Sequence, residues 1–188
     1  MNELKEKYIK EVVPKLKEEF KTKNSLSLPK IEKITINVGV GKYTKDEKYI
    51  SFVEEILTKI TGQKPVRRVA KKSIAGFKIR EGNIVGVSVC LRREKMYSFL
   101  DNMINIILPR TRDFRGISRK QVDSTGNLTV GISEVSVFPE VETLDFSNGV
   151  FGLQFTVTIS KKDKEKSLRM FELLGFPFEK NINKEIKK

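Results

Sequence analysis

The sequence predicts an α+β fold in two layers, a mainly antiparallel sheet with helices packed on one face and a polar opposite face. Three observations carry that prediction. Several segments alternate apolar and polar residues, the pattern of a half-buried strand. Others repeat apolar residues every three or four positions, as an amphipathic helix does. The outward strand positions hold small polar residues rather than the lysine–glutamate mixture of a solvated sheet. A chain of 188 residues suits one domain with a substantial core. That domain is expected over residues 1–178, with 179–188 a short flexible tail.

Residues 2–22 read as a helix, because Leu4, Tyr8, Val12, Leu16 and Phe20 recur at a helical interval. Pro14 should kink or break it. In "IEKITINVGVG", Ile34, Ile36, Val38 and Val40 share one face, and Lys33, Thr35, Asn37 and Gly39 the other. Thr44 and Glu47 have the spacing of a capping box for a second helix. Its stripe is Ile50, Val53, Leu57 and Ile60, and Gly62 ends it. A short strand covers Val66–Val69. Ile84–Arg92 alternates again, with Val85, Val87, Val89 and Leu91 against Gly86, Ser88, Cys90 and Arg92.

Met96, Phe99, Leu100, Met103, Ile104 and Ile107 make the most regular helix, which Pro109 should end. "NLTVGI" and "GLQFTVTIS" are strands, with Leu128, Val130 and Ile132 and then Leu153, Phe155, Val157 and Ile159 inward. Between them "VFPEVE" reads as a short extended piece. Asp163 caps a last helix with Leu168, Phe171 and Leu174 on its inner side.

The face left uncovered carries Thr35, Asn37, Gly39, Gly86, Ser88, Cys90, Thr129, Gly131, Gln154, Thr156 and Thr158. Edged by Lys33 and Arg92, such a surface can press closely against a sugar–phosphate backbone. Threonine is also simply a good strand residue, so the pattern alone does not decide.

Charge tips the balance. The formal net charge is +13, which points to a polyanion, either nucleic acid or an anionic membrane surface. The charge is segregated. Eight basic residues and no acids lie between Lys59 and Arg80, whereas Ser133–Gly149 holds Glu134, Glu140, Glu142 and Asp145 with no Lys or Arg. One polyanion-binding face and a second, different face fit this division.

Other chemistries lack their residues. The chain has no histidine and one cysteine, Cys90. That removes an internal disulfide, any cysteine-based zinc site and the usual general base. "GVGK" at Gly39–Lys42 is not a phosphate loop, because Ile36 and Tyr43 stand where the motif needs Gly and Ser or Thr. The acids at 134–145 match no calcium loop. No enzyme, metal or cofactor is expected. No apolar run is long enough to span a membrane, and the N-terminus does not resemble a targeting peptide. A soluble cytoplasmic protein is expected.

The connection "VAKKSIAGFKIREG" is too long for a simple hairpin turn. Lys71, Lys72, Lys78 and Arg80 supply charge, and Gly76 is expected to allow the turn. Ile74 and Phe77 either offer apolar contact at the tip or staple the loop to itself. The sheet lacks the outward aromatic pair of an RNA-recognition motif, so folded RNA should be read by shape and backbone.

"KITINVGVG", "TGQKP", "AKKSIAGFKIREG", "PRTRDFRG" and "FPEV" occur in this order. Together they closely resemble the bacterial-type large-subunit ribosomal protein five family, which binds 5S rRNA in the central protuberance. The resemblance runs from about residue 3 to Phe178. It implies a structural, ribosome-bound protein whose partners are 5S rRNA, large-subunit rRNA, tRNA in the peptidyl site and other ribosomal proteins. Family-type 5S contacts fall on Asn37, Gln63 and Arg92, with Cys90 where threonine is usual; Lys33 and Lys64 join them as flanking charges. The loop at 71–82, with Lys71, Lys72, Ser73, Ile74, Ala75, Gly76, Phe77, Lys78 and Arg80, would reach the tRNA. Arg110, Arg112, Asp113, Arg115 and Glu134 would lie towards small-subunit ribosomal protein thirteen, forming an intersubunit bridge. A free-standing RNA-binding regulator using the same sheet face is the alternative. Two departures stand out: Cys90 is a weak donor, and Glu179 replaces an arginine in "FPFEK".

Overall fold

The computed structural model describes residues 3–112, 114–142 and 149–179. Five strands form one sheet: β1 (Ile31–Gly39), β2 (Val66–Val69), β3 (Ile84–Leu91), β4 (Leu128–Ile132) and β5 (Leu153–Ile159). Their order is β2-β3-β1-β5-β4, and every pairing of these strands is antiparallel. The longest alternating segment, β1, lies at the centre, where both of its edges are paired.

Register explains the clean division of faces. Ile36 lies between Val89 and Phe155, and Ile34 between Leu91 and Val157. All six are buried. Because the side-chain period is two, fixing this apolar row inward fixes the polar row outward.

Helices cover the inner face. The first, α1, runs through Glu3–Lys7, a wider π turn at Tyr8–Val12, and Val13–Glu19. Next is α2, Glu47–Thr61. Arg93–Asn102 begins α3, which continues through a π turn at Met103–Ile107 and ends with Leu108–Arg110. Last is α4, Lys164–Leu174. Leu16, Val53, Leu100 and Phe171 from the four helices are all essentially inaccessible. Phe99 of α3 meets Phe155 of β5 edge-on, with ring centroids 6.0 Å apart, an arrangement that suits the ring quadrupoles.

Pro14 falls just after a break in the regular helix, and α3 ends at Arg110, one residue past Pro109, as expected. Each proline follows a five-residue π turn, in which the Val13 N–H reaches Tyr8 O and the Leu108 N–H reaches Met103 O. The extra residue in the turn relieves the clash between a proline ring and the carbonyl four residues earlier.

Other local readings change. Asp46, not Thr44, caps α2, its Oδ1 accepting from the Tyr49 N–H at 3.1 Å. A 3₁₀ turn at Gly41–Tyr43 occupies the approach and leaves Thr44 in helical backbone geometry, unsuited to capping. "VFPEVE" is not extended but folds into 3₁₀ turns at Val135–Val137 and Pro139–Val141. Met170 and Ser167 lie deeper than Leu168 on α4. Asp163 caps that helix as expected, accepting from the Lys166 N–H.

Candidate nucleic-acid interface

The uncovered face of the sheet is organised in rows. One runs Cys90–Thr35–Thr156–Thr129, and the next Val66–Ser88–Asn37–Gln154–Gly131. Gly86 and Gly39 pair in the row beyond, and Lys33 lies opposite Thr158. Thr129 and Thr156 share a hydroxyl hydrogen bond of 3.1 Å. Asn37, near the middle, is exposed and makes no side-chain hydrogen bond among the described residues. Close packing behind the sheet holds its backbone in place, so this amide is presented at a fixed point of the face.

Gln63 is brought to the same end as Cys90. Gly62 closes α2 in the left-handed conformation, with φ of 60°, which suits a residue without Cβ. Its carbonyl accepts from Lys95 Nζ at 2.6 Å. Gln63 Nε2 then donates to Cys90 O at 3.2 Å. This bond fixes the side chain and leaves its amide oxygen without a protein partner among the described residues. Lys64 is exposed beside it. Arg92 follows β3 in extended geometry, and its side chain is exposed. Cys90 is half-buried and lies opposite Thr35.

The outward face is not uniformly open. Ser88 is buried, because Arg68 of β2 lies across it and donates from Nε to Ser88 Oγ at 2.7 Å. Strand alternation turns Arg67 the other way. Its guanidinium spans Glu54 and Glu47 of α2, with the Glu54 contact at 2.6 Å. These carboxylates hold its pKa further above the usual range. Arg67 therefore clamps β2 to α2, and only Arg68 of this pair adds charge to the interface. Alternation from Val66 is the signal that separates them.

The long loop has structure of its own. The Ala70 N–H donates to Asn83 O at 2.8 Å and the Gly82 N–H to Ala70 O at 3.0 Å. Further out, Ile74 and Ile79 exchange both backbone hydrogen bonds, at 2.9 and 3.2 Å. Ser73 Oγ accepts from the Glu81 N–H. The β2–β3 hairpin is thus extended to a short 3₁₀ turn, Ala75–Phe77. Lys78, not Gly76, takes the left-handed conformation, with φ of 54°. A Cβ on Gly76 would meet nothing within 4 Å. Phe77 is 73% exposed, so it does not staple the loop. Lys71, Lys72, Ser73, Ala75, Lys78 and Arg80 are exposed as well.

The segment after α3 is anchored at Ile117, which bridges to the 177–179 strand-like stretch. The Ile117 N–H donates to Pro177 O at 2.7 Å and the Glu179 N–H to Ile117 O at 3.0 Å. Arg119 joins Glu172, which also pairs with Arg169, itself bound to Glu19. Arg112 and Arg115 are exposed, while Arg110 lies 3.8 Å from Glu142. Glu134 is exposed and accepts from Ser136 Oγ. Asp113 and the tail from 180 to 188 lie outside the described residues. No helix among the described residues is long and apolar enough to cross a membrane.

Comparison with known proteins agrees with this architecture. A family model described as ribosomal protein L5 matches residues 24–80, and a second, describing the C-terminus of that ribosomal family, matches residues 84–178. The large ribosomal subunit protein uL5 of Halothermothrix orenii is 46% identical over 178 residues, 95% of this chain and 99% of the relative. The chain belongs to the ribosomal L5 family. The uL5 protein of Desulfatibacillum aliphaticivorans is 45% identical over 180 residues, 96% of this chain and all of the relative.

Family membership makes this a structural, RNA-binding constituent of the large ribosomal subunit, acting in translation and not as an enzyme. Its place is on the ribosome, in the cytoplasm, with rRNA and other ribosomal proteins as partners. The basic side chains of the sheet edge and loop that have no ion-pair partner among the described residues are suited to that setting, because phosphates can neutralise them.

Proposed function

We propose that the polar sheet face holds 5S rRNA in the central protuberance while the 71–82 loop reaches tRNA in the peptidyl site. The observation that carries this reading is the paired rows of small polar side chains, with Lys33 and Arg92 at their edge and with Asn37 making no side-chain hydrogen bond among the described residues. Asn37 and the free oxygen of Gln63 offer hydrogen bonds; Lys33, Lys64 and Arg92 neutralise phosphates. Small neighbours let an RNA backbone approach. Cys90 occupies the contact position with a weaker donor than a hydroxyl. The loop is separately supported, so it is free for a second RNA. The exposed Arg110, Arg112, Arg115 and Glu134 serve the contact with small-subunit ribosomal protein thirteen.

Filter binding of purified protein to 5S rRNA and to an unrelated structured RNA of equal length tests the first contact. The 5S complex should be the tighter one. Its log affinity should fall with log salt by about 0.7 to 0.9 per neutralised phosphate. Equal binding of the two RNAs would refute the assignment.

A further inference from the structure

The turn after β1 and the tip of the long loop face each other across an open cleft of about 1080 Å³. Tyr43 and Lys42 line one side, Phe77 and Lys78 the other, with Lys45 at the rim. Phe77 is 73% exposed and Tyr43 47% exposed. Tyr43 is not loose, because the buried Tyr49 lies against its ring at a centroid distance of 4.1 Å. Lys42, Lys45 and Lys78 have no ion-pair partner among the described residues. Asp46, the acid in the cleft, is committed to the α2 cap. The left-handed backbone of Lys78 sets the direction of the tip. Gly39 and Gly41 leave room below, since a Cβ on either would meet nothing within 4 Å.

We propose that this cleft binds a single unpaired RNA nucleotide. Tyr43 and Phe77 offer ring faces to its base, and the three lysines take the flanking phosphates. Each half of the constellation narrows the ligand. A free inorganic anion has no use for two exposed rings, and an apolar peptide has none for three lysines. Duplex RNA keeps its bases stacked inside and cannot offer one to a ring. A splayed base with its own phosphates satisfies both halves. The inference rests on the reading that the loop meets RNA. It adds a second wall, the Tyr43 turn, and a chemical preference that the sheet face lacks.

The test uses the intact protein and two RNAs of one stem sequence, a hairpin with unpaired 4-thiouridines in its loop and a fully paired duplex. The unaltered protein should bind the hairpin more tightly and photocrosslink through Tyr43 or Phe77. Tyr43→Ala and Phe77→Ala should each weaken hairpin binding about tenfold and erase its advantage over duplex. Tyr43→Phe should retain that advantage, because the ring face remains. Lys10→Ala, on α1 and paired with Glu6 away from either RNA surface, should leave it unchanged. Equal binding of hairpin and duplex, or crosslinks confined to other residues, would overturn the proposal. The crosslink map needs no substitution, so a misfolded variant cannot obscure it. If Phe77→Ala weakens binding and a folded Tyr43→Ala does not, the cleft is wrong but the loop contact stands. If neither Phe77→Ala nor Lys78→Ala changes binding, the loop reading fails too.

Discussion

Asn37 and Phe77 are both exposed, yet they rest on different foundations. Asn37 sits on a central strand paired on both edges, and its neighbours Ile36 and Val38 are sealed in the core. Phe77 sits on a hairpin extension held by two pairs of backbone hydrogen bonds and the Ser73 hydroxyl. The sheet presents small polar groups at fixed positions, which suits recognition of a rigid RNA shape. The loop presents a large ring and several cations on a support with no core of its own. Local stability follows the density of buried apolar contacts, so the two surfaces should differ in mobility as well as chemistry.

The strongest way to break this contrast is to remove what lies under the sheet. Phe155→Ala would vacate a fully buried site beside Ile36 and Phe99. It should lower unfolding free energy by about 3–5 kcal/mol, read by urea denaturation. No substitution confined to residues 73–80 should approach that. Ile79→Pro would delete the backbone donor to Ile74 O. It should open the tip with little change in global stability, seen as faster amide exchange at Ile74. A slowed exchange there, or a global loss equal to that of Phe155→Ala, would erase the distinction between the two surfaces.

Arg67→Ala sharpens the comparison from within the basic cluster. The Arg67 guanidinium is bound to Glu47 and Glu54 on the helical side. Its removal should cost a little thermal stability and leave 5S affinity unchanged at moderate salt, whereas Arg92→Ala should do the reverse. Acid should have the smallest effect, and Asp123 and Asp163 should contribute to it. Hydrogen bonds from Thr125 and Asn127 outweigh the upward push of burial on Asp123, so its pKa lies below the ordinary 3.8. Lys166 lowers that of Asp163 by hydrogen bonding and charge. A depressed carboxylate pKa stabilises the fold above the unfolded value and loses that effect as pH falls through the folded value. Stability should therefore be flat above about pH 5 and decline below about pH 4. Asp123→Asn should reduce the decline.

Much of this contrast was legible in the sequence. The inward rows of Ile, Val and Phe and the outward rows of Thr, Asn and Gly follow from a period of two, which needs no tertiary information. Asp163 is legible as a cap because it directly precedes the apolar-periodic run of the last helix. Thr44 misleads because a 3₁₀ turn, invisible in local pattern, shifts the helix start to Asp46. Arg68 covering Ser88 is a tertiary contact between strands with no sequence signature of its own. The same holds for the Gln63 bond to Cys90 O and for the π turns that accommodate Pro14 and Pro109. Lys78 in the left-handed region is the least expected, because Gly76 lies two residues away and carries no such strain.

The division of labour is tested most directly by 5S rRNA affinity in two variants, Asn37→Ala combined with Arg92→Ala, and deletion of Ser73–Arg80. The double substitution should weaken binding by about 2–4 kcal/mol, the scale of one polar and one charge-assisted hydrogen bond in an interface. The deletion should leave 5S binding close to that of the intact chain and reduce peptidyl-site tRNA binding on reconstituted ribosomes. Loss of 5S binding in the deletion, with none in the double substitution, would contradict the assignment and move the 5S contact from the sheet to the loop.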